Sequence, residues 1–311
     1  VEIDGKTGRG EHPRLMPQPV GPANRFDGNF RPSSNGIASR PEFTPFFGMS
    51  TPPVRDDLLT LVAIGVLGAL TAVASHELVG HSAGCLAAGG EVRLVTTIFF
   101  RCDGGNGLTD LGGPLGNLVL GVVAMALTVN RRVRLKEMRV FLLLTGGLAL
   151  FWFFSQLVVN GLTGSGDWSF AAGQLAWPSS WRVVAVAAGA LGYDLTRRSL
   201  TRGMRTLSEG GDPAGDRRRF LVPWAAGMIA LTASATLFAG DRLGGIRDTA
   251  LTLGLAPLGL ALALALAERF GPTARTPLHP IPRRWAWITA AGALYAGFCL
   301  IVAPGLGGGA L

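Results

Sequence analysis

The sequence is short of charge. Asp, Glu, Lys and Arg make up only 15% of its 311 residues, where a soluble domain carries about a quarter. Hydrophobic residues reach 48% and the mean hydropathy is +0.37, which together exclude an ordinary water-soluble globule. Cysteine is nearly absent too. Cys85, Cys102 and Cys299 are odd in number and form no CxxC pair, so neither a disulfide framework nor a zinc ribbon is expected. Cys85 falls one turn beyond His81 and reads as packing, and Cys102 as a small buried or loop cysteine, with metal ligation the alternative. No long apolar run precedes Leu58, so no signal peptide is expected at the start of this sequence. The formal charge of +8 comes without any basic-aromatic recognition module, which argues against nucleic acid as a partner.

The apolar residues that are present lie in long blocks separated by short basic ones. A helix needs about 20 apolar residues to cross the hydrocarbon of a bilayer. Seven spans are expected, at 58–88, 112–130, 138–160, 181–196, 220–240, 249–267 and 285–303. The fold class is therefore an all-α membrane protein of about seven transmembrane helices, with the bilayer as its first partner. Between the first two spans, "GGEVRLVTTIFFRCDGGNG" is β-branched, aromatic and bounded by glycines. It predicts a small β-hairpin or re-entrant loop. Residues 1–55, rich in Pro, Gly and Arg, predict an extended or disordered N-terminal extension. A core at 56–170 and additional helices at 171–311 complete the division.

Basic residues orient the spans. Arg131, Arg132, Arg134, Lys136 and Arg139 follow the second span. Arg197, Arg198, Arg202, Arg205, Arg217, Arg218 and Arg219 follow the fourth. Residues 161–180, by contrast, contain no Lys or Arg. The alternation predicts a multi-pass protein with a cytoplasmic N-terminus.

Histidine is scarce as well: the chain has four, and two stand in "SHELVGHSAG", Ser75 to Gly84, at the end of an apolar run. Ionisable groups inside a span are costly and point to function. HExxH on a helix presents two zinc ligands one turn apart with a general base between them. Here His76 and His81 are five residues apart, which on a regular helix turns the rings about 140° from each other. A π-bulge would return them to one face, and Gly80 is the most permissive place for it. Without such a bulge the two are separate polar groups satisfied by neighbouring helices.

Further along, "GGPLGN" opens the second span and "GLTGSGDW" closes the third. In this order the pieces resemble the site-2-type intramembrane zinc metalloproteases, especially a bacterial branch of them. The resemblance covers residues 60–170. It implies a zinc-dependent peptidase in a bacterial inner membrane, acting on membrane-protein substrates. His76, His81 and Asp167 would be the Zn2+ ligands and Glu77 the general base. Asn117 would be a site-framing or substrate-contacting group. The HExxxH spacing is similar to that of dipeptidyl peptidase III, a soluble zinc peptidase of another family. The third motif departs from the pattern: Asn160 precedes Asp167 by seven residues instead of eight, Thr163 replaces a proline, and Trp168 replaces a glycine. The orientation also places the site toward the outer leaflet, whereas the proteases it resembles hold theirs nearer the cytoplasm. The other reading is a non-catalytic membrane scaffold that binds partner subunits through the N-terminal extension and the additional helices.

Overall fold

The computed structural model describes residues 55–128, 133, 135–207, 213–269 and 280–307, together with the side chains of most of them. All fall within 52–311, which forms one compact unit; of the expected N-terminal extension, 1–55, residues 1–51 form a separate unit and 1–54 lie outside the described residues.

Helix α1, Leu58–Val73, starts at Asp57, whose side chain accepts from the Thr60 N–H as an N-cap. It passes without a break into a π-helical segment, Ala74–His81, and then into the short α2, Ser82–Ala87. Strands β1, Glu91–Val95, and β2, Phe100–Asp103, form the expected hairpin, antiparallel and irregular between Val92 and Leu94. Thr96 closes its turn, the hydroxyl accepting from the Ile98 and Phe99 N–H groups. The bundle continues through α3, Gly107–Thr128, α4, Lys136–Thr163, and the short α5, Asp167–Gln174. After these come α6, Trp181–Leu207, α7, Pro213–Ala235, α8, Arg242–Arg269, and α9, Trp285–Gly297. A second π-helical segment, Phe298–Val302, extends α9.

Each expected span falls on a helix, but seven membrane spans are not supported. Among the described residues, four helices are long and apolar enough to cross a bilayer: Leu58–Ala87, Gly107–Thr128, Lys136–Thr163 and Trp285–Val302. Two of the other expected spans fall short through charge. Helix α6 carries Asp194, Arg197, Arg198, Arg202 and Arg205 along its second half, and α7 opens on Arg217, Arg218 and Arg219. The expected span at 249–267 falls largely on side chains outside the described residues.

Close packing of α1, its π-helical extension and α2 against α3 rests on glycine. A Cβ on Gly80 would run into the Gly112 carbonyl, one on Gly84 into Leu108, and one on Gly116 into Ser75. Gly80 and Gly84, and Gly112 and Gly116, are the small-xxx-small pairs that let membrane helices touch backbone to backbone. The end of the bundle away from the hairpin is tied by charge. Arg219 is buried against Asp56, with Nε 2.8 Å from its carboxylate, and also donates to the Leu207 carbonyl. Asp56 in turn accepts from the Ile281 N–H, and Arg284 pairs with the buried Glu137. Breaking such a buried pair from one side costs about 3–5 kcal/mol.

The cysteines overturn the expectation from sequence. Cys85 and Cys102 form a disulfide, with Cα atoms 5.9 Å apart. Neither is a metal ligand or simple packing. The hairpin folds β2 back over the end of α2, which brings together two residues that no CxxC spacing connects. Cys299 is free.

Candidate metal centre

Residues five apart share a face only where backbone bonds run i to i+5. The segment Ala74–His81 does this, so the extra residue in HELVGH is absorbed as the spacing predicted. The rings of His76 and His81 consequently meet edge to face, with centroids 4.8 Å apart and 86° between planes. His76, Glu77 and His81 are 2%, 3% and 5% exposed, and one ligand atom from each lies within 4.8 Å of the others. This group could hold a metal ion.

The hydrogen bonds around the imidazoles decide which nitrogens face inward. His81 Nδ1 lies 2.8 Å from the Thr109 carbonyl oxygen. A carbonyl can only accept, so Nδ1 carries the proton and Nε2 is left with its lone pair. His76 Nδ1 lies 3.2 Å from the Asn117 side-chain amide, whose Oδ1 is buried without a partner. Amide oxygen and nitrogen are assigned from such networks. With the amide turned over, Oδ1 accepts from His76 Nδ1–H, and both the orphaned oxygen and the ring proton are satisfied. His76 Nε2 then presents a lone pair as well.

Both Nε2 atoms converge on Asp167. The distances to its Oδ2 are 3.2 Å from His76 and 3.8 Å from His81. Two ring nitrogens and a carboxylate oxygen turned toward one another are a set of atoms that a metal cation could satisfy together. Gly113 lies against the same point, where a Cβ would collide with Nε2 of both histidines. Asp167 reaches the site from the first turn of α5, and the Gln156 amide donates to its Oδ2 at 3.0 Å.

Asn117 is placed to frame the site. It is fully buried, it is absent from the residues lining the cavity beside the site, and its visible contact is with His76. It positions a ring. Thr109 does the same for His81. Trp152 stacks on His76, with centroids 4.6 Å apart and 15° between planes, and Phe100 stacks on His81 at 5.2 Å and 22°. Thr109, Trp152, Gln156 and Phe100 escaped the sequence reading. One cue was available: Trp152, Gln156 and Asn160 recur every four residues, a polar stripe on one face of an otherwise oily helix. Asn160 caps the turn into α5, accepting from the Trp168 N–H.

A cavity of about 650 Å³ opens beside the three groups. Its wall includes His76, Glu77, His81 and Asp167, the hairpin residues Phe99 and Phe100, and the ion pair Arg247–Asp248 on α8. No protein-family profile, curated protein or solved structure matches the chain.

Proposed function

We propose that this chain is an intramembrane peptidase that uses a zinc ion held by His76, His81 and Asp167, with Glu77 as general base. The observation that carries the reading is the convergence of both Nε2 atoms and the Asp167 carboxylate beside a buried glutamate on a cavity wall. The resemblance of residues 60–170 to the site-2-type proteases agrees with it. Two imidazoles and one carboxylate, with a position left for water, are the donor set of catalytic zinc. When bound, the ion supplies Lewis-acid polarisation of a carbonyl and eases the deprotonation of water.

The chain's own residues do the rest. Glu77 faces the cavity from the same π-helical turn as its neighbours, takes a proton from the attacking water and returns it to the leaving amine. Thr109 and Asn117 hold the imidazoles in the ligating tautomer, and Gln156 orients the carboxylate. Trp152 and Phe100 cover the ring faces. An extended substrate segment would lie along β2, whose Phe100 lines the cavity; the outer edge of β1 is already bridged to Leu306 at Val95.

The same reading places the site toward the outer, oxidising side of a bacterial inner membrane, with the N-terminus cytoplasmic. The disulfide Cys85–Cys102 supports it, because disulfides persist in oxidising compartments. So do the arginines gathered at the opposite end, Arg139, Arg197, Arg198, Arg202, Arg205, Arg219 and Arg284 among them. The test is Glu77→Gln in protein reconstituted with a membrane-embedded peptide library. The variant is expected to keep its metal and lose cleavage by at least a hundredfold. Wild-type-like cleavage by it would remove Glu77 as the base, and wild-type protein that holds metal yet cleaves nothing would favour the scaffold reading.

A further inference from the structure

At the end of the bundle away from the hairpin, a second cavity of about 480 Å³ lies between the last turn of α3, the first turns of α4 and the second half of α6. Two guanidinium groups line it, Arg139 and Arg202, with the hydroxyl-bearing Ser199 and Thr206, over a floor of Met125 and Leu143. No carboxylate is among its lining residues. Arg139 donates to the Thr206 hydroxyl at 3.3 Å, and Arg202 has no acceptor among the described residues. Elsewhere on α6 the arginines are matched: Arg197 and Arg198 share Asp194, and Arg205 donates to the Leu266 carbonyl. This pocket gathers two arginines with no carboxylate beside them.

We infer that the pocket binds the phosphate of an anionic phospholipid. Guanidinium groups and hydroxyls are the donors that phosphate oxygens take, and arginine suits them by geometry as well as charge. The pocket's level in the bundle identifies the source of the phosphate. Thr128 and Lys136 end two of the candidate membrane spans, so the mouth lies where lipid headgroups lie. The floor then continues into the span: Leu143 is fully buried and Met125 packs against the same core cluster. A free phosphate ion has no use for that floor, whereas the glycerol and first acyl carbons of a lipid do. Basic pockets between helices on the cytoplasmic side are recurrent headgroup sites. The inference is independent of the peptidase reading, because the pocket and the metal centre share no residue.

The experiment uses the full chain in neutral detergent, with phosphatidylglycerol, phosphatidylcholine or inorganic phosphate added, read by native mass spectrometry and by thermal melting. One phosphatidylglycerol is expected to be retained per chain and to raise the melting temperature, while equal phosphatidylcholine and millimolar phosphate have little effect. Arg202→Gln, at an exposed position, is expected to weaken retention about fivefold, and Arg139→Gln with Arg202→Gln about thirtyfold. Arg202→Lys keeps the charge and is expected to restore most of the single-variant loss. Equal retention of the neutral lipid, or no change in the double variant, would overturn the inference. An effect of phosphate equal to that of the lipid would overturn its assignment to a headgroup.

Discussion

His76 and Asn117 are joined by a buried hydrogen bond, 3.2 Å from ring Nδ1 to the side-chain amide, across the seam where the π-helical segment meets α3. Asn117 is fully buried, and the bond holds the ring so that Nε2 points at Asp167. A polar residue from the second span thus sets the chemistry of a histidine on the first. The glycine contacts between the two elements make that reach possible.

Asn117→Ala removes the acceptor for the ring proton and should lower metal affinity about 10- to 100-fold, the usual effect of losing a partner behind a ligating histidine. Asn117→Asp keeps an acceptor in place and should recover most of the affinity. The measurement is metal competition against a chelator, with helix content checked by circular dichroism. Equal affinities in wild type and the alanine variant would leave His76 held by packing alone.

Gly113→Ala places a methyl group against Nε2 of both histidines, on the point where the three lone pairs meet. Metal binding should be lost while the helices persist. Gly292→Ala and Gly297→Ala are the controls, since a Cβ at either meets nothing within 4 Å. Those two should leave both metal content and melting temperature near wild type. Metal retained by Gly113→Ala at full stoichiometry would mean the ion sits elsewhere.

Reduction of Cys85–Cys102 opens a link spanning 17 residues and should cost about 3 kcal/mol of stability. It should also loosen Phe100 over His81, because β2 carries both Phe100 and Cys102. In a Cys299→Ser background, intact cells treated with a membrane-impermeant reductant and an impermeant maleimide should label Cys102 from outside. Labelling that appears only after lysis would invert the orientation given above.

Much of this was legible in the sequence. The spacing of His76 and His81, together with Gly80, specified a π-helical turn if the pair was to act together, and the turn is there. The β-branched run after "GGE" specified the hairpin. These are local signals, carried by neighbours in the chain. The disulfide was not legible, because Cys85 and Cys102 meet only through the fold of the hairpin over α2. Nor were Thr109, whose contribution to His81 is a backbone carbonyl that any residue offers, or Trp152 and Phe100, whose apolar rings look like core until the fold brings them onto imidazoles. Two of the expected spans were overread for a similar reason: apolar stretches marked helices correctly, but the arginines that continue α6 and open α7 belong to the same helices and reduce their apolar length.

Metal content is the most direct test. Gently purified full-length protein, analysed by plasma mass spectrometry, is expected to carry about one zinc per chain, falling to background in His76→Ala and in His81→Ala. Protein that arrives with no zinc, and takes up none on dialysis against it, would contradict the account at its centre.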